Sequence, residues 1–228
     1  MPPVTSLQLK AVGVRPIPVA RGGTAGTGSR AAGELRAIGN ELRLQALILF
    51  GLVGIMWAAE LVDLAFLRGA LDGLGIRPRT LDGLRGIFFA PFLHGGLAHL
   101  IANTVPFLGL GWLILLRGVR VFLLVTVVTV VLGGLAVWVI GGPNTVHIGA
   151  SGLVFGYLGF LLLRGYFDRG VVSIIIALVV MVVYGGALWG VLPLRAGISW
   201  ESHLFGFLAG ALAARLVAPG RSSTRHAR

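Results

Sequence analysis

From Leu44 to about residue 218 the chain alternates between apolar stretches and short polar breaks, at 44–66, 96–116, 119–140, 149–166, 171–191 and 199–218. Segments of about 20 apolar residues match the hydrocarbon thickness of a bilayer. In lipid a backbone must satisfy its own hydrogen bonds, so such segments are expected as helices. Composition agrees: 56% of the 228 residues are hydrophobic and 12% charged, which is not the make-up of a water-soluble domain. The expected fold is therefore all-α, a polytopic membrane protein with six transmembrane helices.

Residues 1–43 are rich in Gly, Pro, Ala, Thr and Arg without a sustained apolar period, and read as a disordered basic tail. No compact apolar core precedes a cleavage site, so a signal peptide is not expected. The domain organisation is thus a tail over 1–43, a helical domain over 44–218 and a second basic tail over 219–228.

A formal net charge of +11 raises the possibility of nucleic acid. With six spans, however, both tails share a side, and fourteen of the nineteen basic residues fall there. Only Arg68, Arg77, Arg79, Arg85 and Arg195 fall on the other. The asymmetry is the positive-inside pattern, so both termini are expected in the cytoplasm and the charge reports orientation. Nucleic acid is not expected as a partner. Lys10 is the only lysine, and an Arg-rich chain of this kind suggests a high-GC bacterium and its plasma (inner) membrane.

The fourth segment is short. Gly149 to Leu163 would make roughly 22 Å of helix at 1.5 Å per residue. The preceding "GGPNTVHI" would then be irregular backbone at membrane depth, tolerated only under protein cover or beside water. That puts Ser151 on the first turn of a helix that starts inside the membrane, facing water.

Polar groups within apolar segments are few, and each is informative. "HGGLAHLIAN" carries His94, His99 and Asn103, the last two on one helix face. "SWESHLFGFLAG" carries His203, one turn before Gly206 and two before Gly210. Small residues let membrane helices approach closely, so Gly152, Gly156 and Gly159 can meet Gly206 and Gly210 and bring His203 towards Ser151. Each feature has a plainer reading taken alone. Ser151 can be interface filler, GxxxG plain packing, and His99 with Asn103 an interhelical pair or part of an ion path that includes Glu60. His147, on the irregular segment, reads as a loop histidine whose ring nothing fixes. The combination of Ser, two His and Asn on three helices outweighs these, because a serine nucleophile needs a base and fixed donors for its oxyanion. With no cysteine in the chain, thiol chemistry is excluded.

"GASG" at 149–152, "HGGLAHLIAN" at 94–103 and "HLFGFLAG" at 203–210 together resemble the rhomboid intramembrane serine proteases. The resemblance covers about 44–218 and implies a six-helix rhomboid-like bundle that cleaves transmembrane protein substrates within the lipid, without metal or organic cofactor. It implies Ser151 as nucleophile and His203 as general base. His99 and Asn103, with the Ser151 amide, would form the oxyanion hole, and His94 would help hold the first loop. Gly149, Gly152, Gly206 and Gly210 would support the close approach. Phe155 stands where the family often has tyrosine and is expected against the His203 ring. Arg85 resembles the arginine of a Trp-Arg pair, with Leu84 in place of the tryptophan. A catalytic carboxylate is not expected: Glu201 lies two residues before His203, about 200° around a helix, and is expected to cap the first turn.

Overall fold

The computed structural model describes residues 25–194 and 197–218, with side chains from residue 30 onward. Residues 1–24, 195–196 and 219–228 lie outside the described residues, and with them Arg195, most of the N-terminal tail and the whole C-terminal one. Residues 1–41 and 42–228 form two separate compact units, and the helical bundle belongs to the second. Of the described residues 82% are helical, and among them the one strand-like feature is an isolated bridge between Ile76 and His147.

Helix α1 (Ala25–Val62) corrects the first expectation. Residues 25–43, read as disordered, are helical. Between Arg30 and Arg43 the sequence is mostly Ala, Leu, Glu and Arg with no proline, and these residues lose little rotamer freedom in a helix. Leu35, Ile38 and Leu42 fall at helical spacing, but the stripe is short and exposed. A π-helical turn, Asp63–Leu67, ends this first segment.

The first loop holds a short helix that has no counterpart among the apolar segments, α2 (Leu81–Phe89). Thr80 caps it, its Oγ1 accepting the Gly83 amide at 3.0 Å. There follow α3 (Leu97–Leu115), α4 (Val119–Val128), α5 (Gly134–Ile140), α6 (Ser151–Asp168), α7 (Val171–Tyr184) and α8 (Trp200–Val217). A π-helical segment, Thr129–Gly133, joins α4 to α5. A 3₁₀ segment, Gly185–Val191, continues α7. The run of β-branched residues in α7 would favour a strand in water; among lipid tails only a helix satisfies its backbone.

Four of these stretches are long and apolar enough to cross a membrane: 30–67, 97–115, 119–140 and 171–191. Helix α6 is the centre of the bundle, and every residue from Leu153 to Leu161 is buried. Leu100, Phe107 and Leu110 of α3, Phe122 and Val125 of α4, and Ala213 and Ala214 of α8 close around it. Tyr157, fully buried, shares a 2.8 Å hydrogen bond with Thr126. At the far end of α6 Asp168 accepts from Arg164, from Arg117 at 3.1 Å and from Ser173 at 3.1 Å. The termini of α3, α6 and α7 are tied together there.

Candidate active site

Helix α6 begins at Ser151 with no side chain capping it. The first amides of a helix lack intrahelical partners and carry the positive end of its dipole. The backbone leading in is fixed from outside: Gly149 N donates to Ala90 O at 2.9 Å, and Ala150 N to His94 Nε2 at 3.4 Å. His94 is thus a loop residue that holds the start of α6, and its ring meets His99 edge-on with centroids 5.2 Å apart.

Across from this start stand His99 and Asn103 of α3. Both converge on Gly149, where an added Cβ would lie 2.7 Å from His99 Nε2 and 3.4 Å from Asn103 Nδ2. Gly149 also has φ +108°, so both its conformation and its surroundings demand glycine. Asn103 Nδ2 is buried and, among the described residues, donates to no acceptor. A buried amide donor left open costs free energy, and this one borders a cavity.

Helix α8 supplies His203. Its ring lies flat on Phe155, centroids 4.1 Å apart and planes 7° from parallel. Its Nδ1 is 2.9 Å from the carbonyl oxygen of Gly190. A carbonyl only accepts, so Nδ1 carries the hydrogen and a neutral ring keeps the lone pair on Nε2. The cap of α8 is Ser199, whose Oγ accepts the Ser202 amide at 3.2 Å. This corrects the expectation for Glu201, which sits in the first turn without capping it.

The seam between α6 and α8 is made of backbone. A Cβ on Gly206 would collide with Gly152 O, one on Gly210 with Gly156 O, and one on Gly159 with Phe207 O. The π-helical segment adds a third wall: a Cβ on Gly156 would collide with the Thr129 side chain, and one on Gly133 would lie 3.5 Å from the Gly206 backbone.

His147 departs from expectation. Its ring is held on both sides, Nδ1 2.6 Å from Ser199 Oγ and Nε2 2.8 Å from Thr145 Oγ1, and its backbone pairs with Ile76 in both directions. The residue is buried, joining the first loop, the segment before α6 and the cap of α8. Arg85, by contrast, makes an exposed 3.5 Å ion pair with Asp82, while Leu84 packs on the small cluster of Ile76, Ile87, Ala90 and Val137.

One cavity of about 960 Å³ is bordered by Ser151, His203, His99, Asn103, His147 and Glu201. Sequence reasoning missed Gly190, Ser199 and Thr145, two of them ordinary loop hydroxyls and the third a bare carbonyl. Among the described residues, no group of three or more His, Cys, Asp or Glu is arranged to hold a metal ion.

The family model of the Rhomboid domain matches residues 82–220. Uncharacterized proteins of Mycobacterium tuberculosis and Mycobacterium bovis are each 48% identical over 182 residues, 75% of this chain and 75% of their own. An uncharacterized protein of Mycobacterium leprae is 44% identical over 182 residues, 76% of this chain and 71% of its own. The matched region runs from the first loop through α8 and takes in every helix that borders the cavity. The chain is a multi-pass membrane protein that belongs to the rhomboid family, whose members are in general intramembrane serine proteases.

Proposed function

We propose that this protein is an intramembrane serine endopeptidase acting on transmembrane segments through a dyad of Ser151 and His203. The observation that carries the reading is the single cavity bordered by Ser151, His203, His99 and Asn103, drawn from three helices of a chain with few such groups. Ser151 Oγ attacks a substrate backbone carbonyl and His203 Nε2 takes its proton. The oxyanion is held by the Ser151 amide, His99 and the open donor of Asn103, fixed dipoles of the kind that lower such barriers. His203 then protonates the leaving amine, and water hydrolyses the acyl-enzyme. No metal or organic cofactor takes part.

The same reading gives six spans. Helices α6 and α8 have 18 residues each, about 27 Å at 1.5 Å per residue. Both are less apolar than the other spans because each packs a face of small or polar residues against protein, Gly152, Gly156 and Gly159 on α6 and His203, Gly206 and Gly210 on α8. Charge asymmetry then places both termini, with residues 1–43 and 219–228, in the cytoplasm of a bacterium, and the cavity opens to the outer side of its plasma membrane. A non-catalytic rhomboid-like binder would have no need of the dyad residues, and both are present. A polar path from Glu60 through His99 and Asn103 finds no support, since Glu60 does not border the cavity.

The test is a fluorophosphonate probe followed by mapping of the labelled residue. Labelling is expected at Ser151 and nowhere else, and Ser151→Ala should lose both labelling and cleavage of a model transmembrane substrate while remaining folded. Cleavage by that variant near the wild-type rate would move the chemistry to another residue.

A further inference from the structure

The His203 ring is held from two directions, and neither holder is a carboxylate. Phe155 covers one face. The Nδ1–H is taken by Gly190 O at 2.9 Å. Gly190 belongs to the 3₁₀ segment Gly185–Val191, the continuation of α7, so the acceptor arrives from a different helix than the ring it orients.

The residue type at 190 follows from this contact. A Cβ there would lie 3.0 Å from His203 Nδ1 and 3.1 Å from Phe155 Cζ. Either the ring or the segment would have to give way. Gly186, in the same segment, would meet nothing within 4 Å. Two glycines four residues apart thus differ in one respect: only one is pressed against the imidazole.

We infer that Gly190 is a positioning residue whose backbone carbonyl performs the orienting task that a carboxylate performs in a Ser-His-Asp triad, so that the basicity of His203 Nε2 depends on how the α7-derived segment is seated. The inference rests on the reading of Ser151 and His203 as the reacting pair. A neutral imidazole carries one hydrogen, on either nitrogen. An acceptor fixed at Nδ1 keeps the lone pair at Nε2, where a proton from serine can be received. Being uncharged, the carbonyl selects the tautomer and the ring plane while adding less than a carboxylate to the stability of the imidazolium. The segment has no charged side chain among residues 185–191, and α7, from which it continues, is the least buried of the apolar spans. A displacement of that segment would be felt at His203 as loss of the Nδ1 acceptor, without any change in the residues that touch substrate.

The test compares Gly190→Ala with Gly186→Ala in the full chain, reconstituted in liposomes with a model transmembrane substrate. For Gly190→Ala, kcat should fall about five- to tenfold, the weight of one neutral hydrogen bond, with KM within about twofold of wild type. Labelling of Ser151 by the fluorophosphonate probe should slow in parallel. The ¹⁵N spectrum of ring-labelled histidine should show His203 leaving a single Nδ1–H tautomer for a mixture. Gly186→Ala should match wild type in all three. Should Gly190→Ala fail to fold, replacing Val191 by its α-hydroxy acid turns the Gly190 carbonyl into an ester, a weaker acceptor with no added bulk, and should lower kcat in the same direction. Equal rates for the two glycine variants, or a wild-type tautomer in the ester protein, would overturn the inference while leaving the protease reading intact. Absence of labelling at Ser151 in the wild type would overturn that reading itself, and this inference with it.

Discussion

Helix α7 is built almost wholly from Val, Ile, Leu and Met, yet only 11% of the most apolar stretch in its span is buried against protein. In α6, beside it, every residue from Leu153 to Leu161 is buried, although Gly156, Tyr157 and Gly159 interrupt the apolar run. In water the more apolar helix would be the inner one. In a bilayer the order reverses, because lipid tails solvate Val182 (85% exposed) as well as a protein core would. Hydropathy therefore marks what faces lipid. Close backbone approach and polar groups mark what faces protein, and the cavity lies where α3, α6 and α8 meet.

This contrast can be broken at several places, and the largest effect is expected at Asn103. Asn103→Ala removes an open donor of the inner seam. If it serves the oxyanion, turnover should drop about 10²–10³-fold while the probe still labels Ser151. An unchanged rate would leave Asn103 a packing role only. Next comes the glycine seam. Gly210→Ala puts a methyl group into Gly156 O and should cost about 1–3 kcal/mol in stability. Val182→Ala on α7 should stay within about 0.5 kcal/mol. Thermal unfolding in detergent distinguishes the two, and equal losses would erase the distinction between seam and shell. The smallest effect is expected at Glu201, which borders the cavity while the His203 Nδ1 position is already occupied. Glu201→Gln should keep at least about a tenth of wild-type turnover, against the roughly 10⁴-fold loss when a triad loses its carboxylate. A loss of that larger size in a folded protein would make Glu201 a third member.

Much of the helical order could be read from hydropathy, because the apolar segments and the helices differ by only a few residues at most ends. The rest escaped for identifiable reasons. Residues 25–43 are helical through propensity, with only the short stripe of Leu35, Ile38 and Leu42 to show it among residues rich in Gly, Ala and Arg. Helix α2, nine residues long, is too short to show a period. At the candidate site, side chains rare in an apolar chain announced themselves: Ser151, His99, Asn103 and His203 stand out against Leu and Val. Gly190 acts through a carbonyl that every residue possesses, so no pattern could single it out. His147 was placed in the right segment, but its partners, Thr145 and Ser199, lie two and fifty-two residues away in sequence. Only folding brings the second within reach.

The π-helical segment between α4 and α5 has a consequence for how this chain can change length. A wide turn of this kind accommodates one residue more than regular α-helix would, resetting the phase of everything beyond it by about 100°. Upstream, Thr129 faces Gly156; downstream, Gly134 meets Ile87 and Val137 is 2% exposed. Deleting a single residue between 129 and 133 would leave a smoother, more regular helix and yet turn Gly134 and Val137 away from their partners. Related chains should therefore tolerate substitutions across this stretch while holding its residue count fixed, and a one-residue gap there would have to be balanced by a compensating change before residue 141.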